Sequence, residues 1–308
     1  GHGLIISHHP VIFRGLKSLS GKGYVERTVL AAIKHGIALY SIHTNLDNIA
    51  TGVNAEIGAR LGVKAPRILA PKAGQLRKLV VFVPKDHAEA VRAAVFRAGA
   101  GRIGAYDECS FQTEGAGTFR AGPGTDPFVG QQGIRHTEAE VRLEVVLPVA
   151  QEAAVVAAMV HAHPYEEVAY DLVPLVNAHP GLGAGMWGEL DKPLEEKEFL
   201  SLLKEGFGLK VVRHTRLLGK PIERIAWCGG SGAFLIGRAK VVGADAYLTS
   251  DVKYHEFFDA DSKLILADIG HYGSEQFTMN LIQRRLGELF PTFAVRLTEM
   301  VTDPIYHF

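Results

Sequence analysis

The chain has 308 residues, of which 47% are hydrophobic and 21% charged, and its 33 basic side chains equal its 33 acidic ones. That balance argues against a basic nucleic-acid footprint, and neither a signal peptide nor an apolar run near the roughly 18 residues of a membrane span is present. The length suits about two domains. Two cysteines, Cys109 and Cys228, are too few for a disulfide framework or a thiolate zinc site, so both are expected as buried small side chains in a cytoplasmic protein.

The chain opens at Gly1 without a Met, yet residues 4–7 already read as a buried strand, so further sequence upstream is expected. Residues 25–35 read as a helix, 37–42 as a strand and 54–61 as a helix, and strands separated by helices imply parallel pairing in an α/β fold. Residues 65–77 carry two prolines, a glycine and several bases and read as a linker. A different rhythm follows: strand 78–84, helix 87–98, strand 104–112, a Gly-rich loop 115–133, strand 141–148, helix 151–162 and strand 168–175. This is the split β-α-β order of a ferredoxin-like module. From about residue 184 the α/β rhythm returns, with helix 194–207, strand 224–228, helix 233–242, strands 246–248 and 264–268, and helix 274–289. The whole reads as one discontinuous α/β domain with an inserted α+β module.

Three polar clusters follow three strands: Ser7-His8-His9-Pro10, His43-Thr44-Asn45-Leu46-Asp47 and Gly270-His271-Tyr272-Gly273-Ser274-Glu275. Ligands of parallel sheets gather outside the carboxyl ends of the strands, where these clusters can converge. Imidazoles and carboxylates together suit divalent metals. Adjacent histidines in extended chain point to opposite sides, so His8 and His9 are expected to serve two ions rather than one. Glu275, four residues after His271, can face the same way and bridge them. His43 reads as a satisfied polar or outer-shell residue. Asp251 and His255, at helical spacing after a strand, are candidates for orienting ligands or transferring protons, against a cap with an exposed histidine. Gly229-Gly230-Ser231-Gly232 reads as a tight turn, with an anion cradle as the weaker alternative. His161 to Glu167 resembles a ligand cluster but has no partner cluster, which favours turn and packing roles.

These segments together resemble the Nif-three-like family, whose bacterial members are labelled GTP cyclohydrolase 1 type 2 homologues. The likeness runs through Ile5 to Phe13, His43 to Asp47, Thr249 to His255 and Gly270 to Glu275. It extends through residues 98–104, Cys109-Ser110-Phe111, Gly117-Thr118-Phe119 and His163 to Asp171, which look like the PII-like or CutA-like insert of the longer members. The resemblance implies a metal-binding core of residues 1–76 and 179–308 interrupted by an insert of 77–178. It implies two divalent ions per chain on His8, His9, Asp47, His271 and Glu275, zinc first with iron and manganese as alternatives. It also implies a homohexamer built from trimers or dimers, with sites facing an inner cavity. At the front the chain departs from the family, whose members begin with several tens of residues including a Trp-Asp-Asn-x-Gly segment. The expected activity is that of a metal-dependent hydrolase acting on a small molecule, with GTP ring opening or phosphoester cleavage as its forms. The alternative is a non-enzymatic metal carrier or insertase, or a ligand-sensing regulator. Neither a membrane nor a nucleic-acid partner is expected.

Overall fold

The computed structural model describes residues 3–307. In chain order it contains β1 (Leu4–Ser7), α1 (Tyr24–Lys34), β2 (Ala38–Ser41), α2 (Thr44–Asp47), α3 (Val53–Arg60) and β3 (Val63–Pro71). Next come β4 (Leu76–Pro84), α4 (Ala88–Arg97), β5 (Ser110–Arg120), β6 (Arg135–Pro148), α5 (Glu152–Ala162) and β7 (Tyr170–Leu175). The rest is β8 (Gly183–Leu194), α6 (Glu196–Phe207), β9 (Arg213–His214), β10 (Ile222–Ser231), α7 (Ile236–Val241), β11 (Ala246–Ser250), β12 (Ile265–Asp268), α8 (His271–Glu275) and α9 (Thr278–Leu289). The fold is mixed α/β, in two compact units: Gly1–Ala70 with Gly181–Phe308, and Pro71–Pro180. Among the described residues no helix is long and apolar enough to cross a membrane.

The first unit holds a six-stranded sheet in the order β3-β8-β10-β11-β12-β9 and a separate parallel pair, β1-β2. Pairing along β10-β11-β12 is parallel, while β8 runs antiparallel to β10 and β9 antiparallel to β12. Alternate residues of the central strands feed two cores. Ile225, Trp227, Leu248, Ile265 and Ala267 pack with Val53, Ile57, Phe199, Leu203 and Phe207. Ala226, Tyr247, Leu264 and Leu266 pack with Leu235, Ile236 and Ala239. Both faces are thus covered by helices, which is why these strands read as continuous apolar runs. At about 25 cal/mol per Å² of buried apolar surface, such a core supplies the main drive for folding.

The second unit has an antiparallel sheet in the order β5-β6-β4-β7. Leu79, Val81 and Val83 of β4 alternate inward with Leu143, Val145 and Leu147 of β6, against Val91 and Val95 of α4 and Val155 and Met159 of α5. Strand, helix, strand, strand, helix, strand in this spatial order is the split β-α-β arrangement.

Besides the unexpected short elements α2 and β9 and the earlier start of β6, four elements differ from expectation. The supposed linker 65–77 is mostly β3, an edge strand, where Pro66 and Pro71 are tolerated because one side of the backbone needs no ladder partner. The strand expected at 104–112 starts instead at Ser110, and the supposed loop from residue 115 continues as β5 to Arg120. Its residues are mostly exposed and show no apolar alternation, yet it pairs with β6 from Ser110↔Val145 to Arg120↔Arg135. Gly117 fits there because a Cβ would run into the Glu140 carboxylate. β8 was not foreseen, its glycines and Asp191-Lys192-Pro193 masking a strand that lies between β3 and β10. The helix expected at 274–289 begins at His271 and is broken between Glu275 and Thr278 into α8 and α9.

Candidate metal centre

Pairing between β1 and β2 continues past both strands. Ile42 N donates to Ser7 O at 3.2 Å and His43 N to His8 O at 2.9 Å. Ser7 Oγ donates to His9 O at 2.7 Å and shares a 2.8 Å hydrogen bond with Ser41 Oγ. His8 and His9 therefore leave the strand as a braced bend, and they do not point to opposite sides as extended chain would. Their rings meet edge to face, centroids 4.7 Å apart, and both Nε2 atoms turn toward Glu275, at 3.4 and 3.2 Å from its Oε2.

Asp47 ends the single turn of α2, and its Oδ1 lies 3.4 Å from His8 Nε2. The buried Asn54 donates from Nδ2 to Asp47 O at 3.0 Å and accepts Gly229 N on Oδ1 at 3.0 Å, tying α2 to β10. His271 and Glu275 sit one helical turn apart in α8, with Nε2 to Oε2 at 3.1 Å. His271 Nε2 also comes within 3.1 Å of His9 Nε2, and its Nδ1 is 2.6 Å from Asp251 Oδ2.

The glycines at 229 and 230 belong to β10, whose register against β11 shifts after Trp227. They are neither a tight turn nor an anion cradle. Gly230 has φ +62°, and a Cβ on it would run into Glu275 Oε1 and lie 3.4 Å from His271 Cε1. Its N–H donates to Ser274 Oγ at 3.0 Å, and that hydroxyl donates to His271 O at 2.9 Å. The strand backbone thus approaches α8 closely enough to seat the carboxylate, a use of glycine that a side chain would block.

The structure brings His8, His9, Asp47, His271 and Glu275 together, with Asp251 behind His271. His255 stands apart from these contacts: its ring leans on Tyr254, centroids 5.5 Å apart. The helical spacing expected between Asp251 and His255 is not realised, because the 3₁₀ turn starts only at Tyr254 and Asp251 has φ +56°. His43 borders the cluster, its ring 5.3 Å from His9 and 5.5 Å from Phe13. In the second unit His163 brackets a turn, bonding Phe82 O through Nε2 at 2.9 Å and accepting Tyr165 N on Nδ1 at 3.1 Å. Cys228 is buried and Cys109 half-buried. Asn54 escaped the sequence reading, and the contacts that Gly230 and Ser274 make with α8 were not read from their motifs.

Electrostatics follow from this crowding. Burial raises the Asp47 carboxyl to about 6, with Glu275 adding to the rise and His8 opposing it. Burial would also raise Glu275, but His271, His8 and His9 outweigh it and hold the carboxyl well below the usual range. His271 is lifted to about 9, first by Glu275 and also by Asp251, against the effect of burial. His43 is lowered by burial and by the neighbouring His9 and His8. Burial pushes the Cys228 thiol to about 12, which keeps it protonated and unreactive.

Donor atoms of His8, His9 and Glu275 all lie within 4.8 Å of one another, a set able to hold a metal ion. Both ring nitrogens of His8, Asp47 Oδ1 and Glu275 Oε2 are buried and make no hydrogen bond among the described residues, although His8 Nε2 and the two carboxylate oxygens stand 3.1–3.4 Å from neighbouring donor atoms of the cluster. Buried polar atoms are nearly always paired, and unpartnered imidazole and carboxylate atoms of this kind fit a divalent cation.

A model of the Duf34/NIF3 family (NGG1p interacting factor 3) matches residues 1–304. A GTP cyclohydrolase 1 type 2 homolog of Halalkalibacterium halodurans is 42% identical over 273 residues, 88% of this chain and 73% of that protein. The Bacillus subtilis protein of the same name is 41% identical over 285 residues, 92% of this chain and 76% of that one. A solved Bacillus cereus protein related to NIF3 superposes with a TM-score of 0.85 at 36% identity, covering 99% of this chain and 83% of its own.

Proposed function

The chain belongs to the Duf34/NIF3 family, and from that premise we propose that its histidine and carboxylate cluster holds two divalent ions in a metal-dependent hydrolase. The observation that carries this reading is the trio of buried, unpartnered donors on His8, Asp47 and Glu275. His8 with Asp47 would hold one ion and His9 with His271 the other, Glu275 being shared, because its Oε2 stands within 3.4 Å of all three imidazoles. Zinc is the first choice for this ligand set, with iron and manganese as alternatives. Divalent ions there would supply an acidified water and polarise the bond under attack.

The remaining chemistry belongs to the chain. With an ion bound, Asp251, 2.6 Å from His271 Nδ1, would accept that proton and so fix the tautomer that presents the Nε2 lone pair to the centre. It is thereby the favoured residue for holding a proton beside the reaction. The relatives' name makes the purine ring of GTP the first substrate to test, with phosphoesters second. The strand order of the second unit supports reading it as a PII/CutA-like insert that takes a small effector. A cytoplasmic homohexamer completes the proposal, and mass measurement in solution tests its assembly.

Elemental analysis of gently purified protein, beside Glu275→Ala, joined to a turnover screen on GTP and phosphoesters, tests the whole. Near two ions per chain, lost in the variant together with turnover, is the expected result. Two ions without turnover would favour a metal carrier or a sensor. No metal after reconstitution would overturn the reading.

A further inference from the structure

Asp251 lies on the loop that leaves β11, and His271 opens α8 directly after the loop that leaves the neighbouring strand β12. The ladder between those strands ends at Thr249↔Asp268, with one further bond from Ile269 N to Thr249 O at 3.0 Å. Beyond it, one buried carboxylate spans the loops. Asp268 Oδ2 accepts Val252 N at 3.1 Å, and Oδ1 accepts Gly270 N at 3.0 Å. Val252 follows Asp251 and Gly270 precedes His271, so each bond lands one residue from a member of the pair. Both loops turn through left-handed backbone, with φ +56° at Asp251 and +76° at Gly270. Such conformations persist where surrounding bonds over-determine them. Arg213 completes the brace: Nη1 donates to Asp268 Oδ2 at 3.0 Å and Nη2 to Val252 O at 3.1 Å, with the guanidinium 4.9 Å over the Phe257 ring.

We propose that Asp268 is the positioning residue that holds Asp251 against His271 and so sets the direction in which His271 offers Nε2. The inference rests on the metal-centre reading above and adds a residue whose carboxylate bonds Val252 N, Gly270 N and Arg213 rather than any of the proposed ligand side chains. A carboxylate is required because it accepts three donors at once. Asparagine has the same shape but would turn an N–H toward one of those donors.

The test uses the full chain reconstituted with Zn²⁺, its affinity measured by competition with a chromophoric chelator. Wild type, Asp251→Ala, Asp268→Asn and the double variant are compared, with thermal unfolding recorded for each. Asp268→Asn is expected to weaken zinc binding about 10–100-fold, the usual cost of losing an outer-shell partner. Because Asp268 acts through Asp251, the double variant should fall within about 3-fold of the weaker single variant. A purely structural residue would instead lower the unfolding temperature and leave affinity or its coupling to Asp251 untouched, and that result overturns the proposal. If Asp268→Asn does not fold, Arg213→Gln on the half-exposed side of the brace gives the same coupling test. Glu275→Ala separates the two levels: if it keeps both ions, the metal reading itself fails. If it loses them while Asp268→Asn binds as wild type, only the present proposal fails.

Discussion

Gly230→Ala probes how the sheet seats the central carboxylate. At φ +62° an L-residue costs about 1–2 kcal/mol from its own Cβ. The added methyl must also displace Glu275, and overpacking of this kind costs about 1–3 kcal/mol more. The sum is about 2–5 kcal/mol. Two other glycines separate these contributions. Gly62 has φ +72° with open space around its Cβ, so Gly62→Ala carries only the backbone cost. Gly237 lies in α7 with a Cβ that would meet nothing within 4 Å, so Gly237→Ala should gain about 0.5–1 kcal/mol of helix stability. Thermal unfolding of the three variants, followed by zinc competition, gives the ranking. Gly230→Ala should be the least stable and alone should lose zinc affinity, by about 10–100-fold if the ligand shift matches that of a lost supporting contact. A Gly230→Ala protein as stable as Gly62→Ala, with unchanged zinc binding, would refute the view that the β10 backbone confines Glu275.

Asn54→Ala removes two partly buried hydrogen bonds that join Asp47 to Gly229 and should cost about 2–4 kcal/mol in urea unfolding; a loss below about 1 kcal/mol would show the bonds to be incidental. His163 is lowered from 6.5, first by burial, and its Nδ1 is occupied as an acceptor for Tyr165 N. The unfolded chain then binds a proton that the folded chain refuses, so this contribution is whole above pH 6.5 and is lost as the pH falls toward the folded value. Unfolding temperature should decline over that window in wild type and less steeply in His163→Gln; parallel slopes would exclude His163 as the cause. His255→Ala should leave metal content and turnover unchanged, since its ring rests on Tyr254 while Asp251 serves His271; loss of either would reverse those roles.

The contrast between ligands and their supports explains what the amino-acid order could disclose. Imidazoles and carboxylates just past strands announce themselves locally, so His8, His9, Asp47, His271 and Glu275 could be named, and buried strands such as β10 and β12 by their apolar runs. The edge strand β3 and the exposed β5 lack that signal, because their pairing depends on strands found elsewhere in the chain. The supports are harder still. Asn54 reaches Gly229 across 175 positions, and Asp268 matters through two backbone N–H groups that any residue could present. Gly230 gave a visible cue in Gly229-Gly230, yet two glycines after a strand also fit a turn until the position of Glu275 is known. Donor chemistry is a property of single residues, whereas the direction of a lone pair depends on distances the fold alone creates. On the proposed reading, the geometry of the cluster rests on Asn54, Gly230, Ser274 and Asp268 as well as on the donors themselves, and substitutions there should loosen metal binding while every donor remains in place.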